Sequence, residues 1–65
     1  MLHFILQRGI IDKLDNPLKK RILMERYING KTWEEVSELV SYAKTSTFRL
    51  HGEALEELEE IIQKA

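Results

Sequence analysis

Apolar residues recur at spacings of three and four along most of the chain and nowhere alternate with period two over a useful length, so the pattern predicts helices and no sheet. Asn16-Pro17 marks one start: asparagine is a good cap, and proline suits the first helical position, where its missing amide is no loss. Leu18, Ile22, Leu23, Tyr27 and Ile28 then form an inward stripe, and Asn29-Gly30 ends it, glycine supplying the left-handed terminus. Thr32 and Glu35 have the spacing of a capping box, which places the next helix at Trp33. That helix runs to Val40 with Trp33, Val36 and Val40 inward and Ser37 as the small residue where a neighbour crosses closely. After a turn at Ser41, Tyr42 and Ala43, a last helix from about Lys44 to Gln63 buries Thr47, Leu50, Ala54, Leu55, Leu58, Ile61 and Ile62. Tyr27, Trp33 and Tyr42 all fall at inward spacing and are expected in the core.

The first helix, about Leu2 to Leu14, is different. Its apolar residues fall into two arcs, Phe4, Ile10, Ile11 and Leu14 on one and Leu2, Ile5 and Leu6 on the other. One arc can cover the domain; the second calls for another chain. Residues 1–15 are therefore expected to form a homodimer element, with Leu2, Ile5 and Leu6 at the contact, and residues 17–63 the remainder of one compact four-helix, all-α domain. At 65 residues the chain is in the size range where a single core is only marginally stabilising, which again favours association.

Charge changes the picture more by its distribution than by its sum. The formal net charge is −1, yet residues 1–31 hold seven basic and three acidic residues, and residues 32–65 three basic residues and eight glutamates. Such polarity lets one end meet phosphate while the other stays in solvent or meets a different partner. There is no cysteine, hence no disulfide framework, and a reducing cytoplasmic compartment fits. The apolar N-terminal run carries Arg8, Asp12 and Lys13 and is far short of the roughly 20 residues needed to span a bilayer, so no membrane association is expected. His3 and His51 lack metal-ligand spacing, and no nucleophile with a neighbouring base or Gly-rich phosphate loop is present. The expectation is no metal, no cofactor and no enzymatic activity.

Two helical patterns separated by a tight turn over residues 32–58 have the form of a helix-turn-helix, which makes DNA recognition the leading functional expectation. Residues at the start of a recognition helix reach base edges. Lys44, Thr45, Ser46, Phe48 and Arg49 are the base-reading candidates, Arg49 as a bidentate partner for guanine and Phe48 as a contact for a thymine methyl. Lys19, Lys20, Arg21, Lys31 and His51 are candidates for phosphate contact, which fixes register without reading sequence. The glutamates at 53, 56, 57, 59 and 60 are too many for the second half of the last helix to lie along phosphates. That half is expected to project away, as a solubilising surface or as an acidic face for RNA polymerase or another regulator.

The run Arg26-Tyr27-Ile28-Asn29-Gly30-Lys31-Thr32-Trp33-Glu34-Glu35-Val36, followed by Tyr42-Ala43-Lys44-Thr45-Ser46-Thr47-Phe48-Arg49-Leu50-His51-Gly52-Glu53-Ala54-Leu55, resembles the C-terminal, promoter-reading domain (region 4) of bacterial sigma factors. The likeness extends from about Leu18 to Leu58. It is closer still to short phage and prophage regulators of the ArpU and RinA type, which pair an R-Y-I-x-G-x-S/T-W-x-x-I/V run with a Y-S-x-x-x-V/T-Y/F-R-L/I-H-x-x-A-L run. The resemblance implies a helix-turn-helix transcriptional regulator of phage genes whose second motif helix enters the major groove of double-stranded DNA. A DNA-recognition module for phage packaging, as in small terminase subunits, and a helix-turn-helix reused for protein binding are the alternatives.

Overall fold

A computed structural model describes residues 8–64, which form four helices in a compact globule with no strand among them. The candidate dimer residues Leu2, Ile5 and Leu6, and Phe4 of the opposite arc, lie outside the described residues. Helix α1, Arg8–Ile11, is a single turn, closed by the amides of Asp12, Lys13 and Leu14 donating to the carbonyls of Arg8, Ile10 and Ile11 at 2.9, 3.0 and 3.1 Å. It delivers Ile11 and Leu14 into the core, and Ile10 packs beside them.

Helix α2, Pro17–Leu23, starts as its sequence dictates: Asn16 Oδ1 accepts from the amides of Leu18 and Lys19 at 2.9 and 3.1 Å, and Pro17 fills the first turn. The expected regular helix to Ile28 does not continue. Over Met24–Ile28 the spiral widens to a π-helical turn, and the amide of Asn29 donates five residues back to Met24 at 3.0 Å. The added residue per turn rotates Ile28 out of the inward stripe, leaving it 41% exposed. Tyr27 stays on the inner side, against the larger core group. Gly30, at φ +70°, reverses the chain, and Lys31 donates back to the carbonyl of Glu25 at 2.9 Å.

Helix α3, Trp33–Val40, opens with the capping box in both halves: the Glu35 amide donates to Thr32 Oγ1 at 3.2 Å, and the Thr32 amide to Glu35 Oε1 at 2.9 Å. Those bonds to Thr32, backbone first and hydroxyl second, hold the Glu35 carboxyl below its ordinary pKa. Ser41 ends the helix at φ 60°, ψ 37°, with its own amide donating to Glu38 and that of Tyr42 to Ser37, at 3.2 and 3.1 Å. This is a left-handed helix stop with serine in place of the usual glycine. In such stops the residue after the left-handed one commonly rests on an apolar side chain five positions back. Here that position is Ser37, whose hydroxyl is turned inward, so Tyr42 stands 46% exposed and is not the core residue its spacing predicted.

Helix α4, Lys44–Lys64, spans 21 residues and sets the 33 Å long axis of the molecule. Thr47, Ala54 and Leu58 are fully buried along it, with Leu50, Leu55, Ile61 and Ile62 half-buried. The core divides into two groups that share α2. Leu23 joins Ile11, Leu14, Ala54 and Leu58, whereas the adjacent Ile22 joins Val36 and Val40, with Trp33 and Leu50 at the edge. No helix among the described residues is long and apolar enough to cross a membrane.

Candidate nucleic-acid interface

The turn between α3 and α4 is fixed by a short polar chain at its inner side. Ser37 Oγ donates to Thr47 Oγ1 at 3.2 Å, and Thr47 Oγ1 donates to the Ala43 carbonyl at 3.0 Å. Both hydroxyls are buried and satisfied, so they lock the start of α4 to the middle of α3 without leaving an unpaired polar group. The outer side of the first turns of α4 is thereby set. Lys44, Thr45, Phe48 and Arg49 are exposed and Ser46 is half-buried, so the five base-reading candidates lie together on one end of one helix. Lys44 reaches across the turn to Glu34 of α3 at 3.2 Å, an exposed pair worth little energetically.

Beneath this surface lies a cluster the sequence did not disclose. The Arg26 guanidinium sits 4.7 Å from the centre of the Trp33 ring and donates from Nη1 to the Lys31 carbonyl at 2.9 Å. The edges of Phe48 and His51 meet Trp33 at ring separations of 4.9 and 4.8 Å. Tyr27 and His51 are joined through the Tyr27 hydroxyl and His51 Nε2 at 2.6 Å. Arg26, which is not part of the inward stripe read from the sequence, is half-buried because the π-helical turn swings it over Trp33. Phe48 is 46% exposed, with one edge on Trp33 and the rest of the ring available.

Burial first, and then the nearby Arg26 charge, push the His51 pKa below its ordinary 6.5. Burial raises that of Tyr27, with Arg26 opposing. Both shifts favour a neutral pair, joined by a hydrogen bond whose direction follows the His51 tautomer. One ring nitrogen of His51, a phosphate candidate by sequence, is thereby engaged with Tyr27 inside the domain. Its proton linkage has a definite sign. The unfolded chain takes up the His51 proton near pH 6.5 and the folded chain resists it. The contribution is therefore fully present above pH 6.5 and is lost as the pH falls through that value toward the folded pKa. Thermal melts between pH 8 and pH 5 are expected to show the midpoint falling on the acid side more steeply for the parent than for His51→Gln; parallel curves would contradict this.

The other phosphate candidates separate into two groups. Lys19 bridges α2 to the acidic half of α4, with Nζ 3.3 Å from Glu53 and 3.2 Å from Glu57. Desolvation works against its charge, but bonds and charges from Glu57 and Glu53 outweigh it and hold its pKa above the ordinary value. Its ammonium is paired within the fold with two carboxylates of α4. Lys20 and Lys31 are half-buried and Arg21 exposed, with Arg21 no closer than 4.0 Å to its helical neighbour Glu25.

Compared with protein-family models, curated proteins and solved structures, the chain matches none.

Proposed function

We propose that α3, its turn and α4 act as a helix-turn-helix that places the N-terminal half of α4 in the major groove of double-stranded DNA. In this reading Lys44, Thr45, Ser46, Phe48 and Arg49 face base edges, and Lys20, Arg21 and Lys31 approach phosphates. The observation that carries it is the segment from Lys44 to Gly52: it begins at a helix start, exposes both cations and an aromatic ring, and carries no carboxylate of its own. Arg49 is exposed and takes part in none of the ion pairs among the described residues, so a base can claim it without displacing an internal partner.

The resemblance to sigma region 4 and to ArpU- and RinA-type regulators supports a phage or prophage transcriptional regulator working in the cytoplasm. A packaging module would use the same surface. The glutamates beyond Gly52 suit an outward face for RNA polymerase or another regulator, and pairing of two chains through Leu2, Ile5 and Leu6 would set two reading helices on successive major grooves.

Fluorescence anisotropy with labelled random duplex DNA at several salt concentrations tests the reading. Three cations, Lys20, Arg21 and Lys31, approach phosphate in this reading. Weak binding is expected, with a log–log salt slope of about −3. Folded protein that shows no binding even at low salt would sink the proposal for regulation and packaging alike.

A further inference from the structure

Gly52 lies in the middle of α4, where glycine is the poorest helix former after proline, and nothing among the described residues asks for it. A Cβ built there meets no atom within 4 Å, and its backbone is not among the positive-φ positions. Neither packing nor turn geometry among the described residues explains a missing side chain at this position.

Its place on the helix points to a reason. Thr45, Phe48, Arg49, Gly52 and Glu56 succeed one another at spacings of three and four on the outward side of α4. The sign of charge reverses at Gly52: Lys44 and Arg49 precede it, and Glu53, Glu56, Glu57, Glu59 and Glu60 follow. Gly52 is eight residues beyond Lys44, about 12 Å along the axis at 1.5 Å per residue, which is about the width of the B-DNA major groove. From these observations, and resting on the DNA reading above, we infer that Gly52 is where a sugar-phosphate strand crosses α4 at van der Waals distance. Residues before it lie inside the groove. The glutamates after it lie beyond the strand, on the solvent side, where Glu53 and Glu56 still repel the nearest phosphates and keep the binding weak.

Gly52→Ala separates this from any structural role, because the two properties move in opposite directions. The thermal midpoint is expected to rise by about 4 °C or more, since a better helix former enters open space. Affinity for duplex DNA is expected to fall about ten-fold, since a methyl group would occupy the closest approach. Gly52→Leu should keep the fold and lose more affinity, whereas Gln63→Ala, at the far exposed end of α4, should leave affinity unchanged. Parent-like affinity in Gly52→Ala would overturn the inference alone, as would a lowered melting point, which would reveal an internal role. A folded parent that binds no DNA would instead remove the functional reading together with this inference.

Discussion

Leu23→Ala is expected to leave much of the protein unfolded at room temperature. Leu23 is fully buried and contacts the group formed by Ile11, Leu14, Ala54 and Leu58, so it links α1 to α4 through α2. Removing its isobutyl group loses the transfer free energy and leaves a void, a cost of about 2–5 kcal/mol in a core of ordinary packing. A chain of this length has only about 3–10 kcal/mol of total stability to lose. Because the neighbouring Ile22 carries the α3 group on the same helix, the two groups should melt together. Urea titration followed by far-ultraviolet circular dichroism checks this: a single transition moved close to zero denaturant is expected, and an unchanged midpoint would mean that α2 is not the shared wall of the core.

Arg49→Ala should cost about 1–3 kcal/mol on a cognate duplex and little on random DNA, because a bidentate guanine contact is lost only where guanine is present. Lys20→Ala should instead weaken both by a similar factor, since a phosphate contact is blind to sequence. A duplex selected from a random library against the parent provides the cognate site. If the two substitutions act alike on selected and random duplexes, α4 is not the reading helix. Arg49 is exposed on the outer side of α4, so the variant should fold like the parent and the comparison is free of stability effects.

Helix positions were legible because each boundary carried its own local chemistry. Asn16-Pro17, Thr32 with Glu35, and Asn29-Gly30 all act within a few residues, and the structure places them as their spacing predicts. The positions that misled depend on contacts between elements. Periodicity assumes a uniform spiral, so it could not register the π-helical turn at Met24–Ile28, which exposes Ile28 and swings Arg26 over Trp33. Tyr42 had inward spacing but follows a left-handed serine that breaks the period. For the site, the outward set from Lys44 to Arg49 was readable as the face opposite the apolar stripe. The partners of Lys19 and His51 were not, because Glu53, Glu57 and Tyr27 lie 24–38 residues away and only the packing of α2 on α4 brings them near.

The arrangement of charge on α4 gives this nearly neutral molecule a large dipole moment. Peptide dipoles make the N-terminal end of a helix partly positive and its C-terminal end partly negative, and side chains usually oppose this. On α4 they reinforce it, with Lys44 and Arg49 near the start and five glutamates from Glu53 to Glu60 further along. The isolated helix is weakened by that alignment, and Lys19 offsets part of it by holding Glu53 and Glu57. What the whole molecule gains is a torque in an external field. In the field of a negative surface the Lys44 end turns forward, an effect of orientation and not of net attraction. Such a torque fades once ions screen distances beyond about 8–10 Å, so it acts most strongly at low salt.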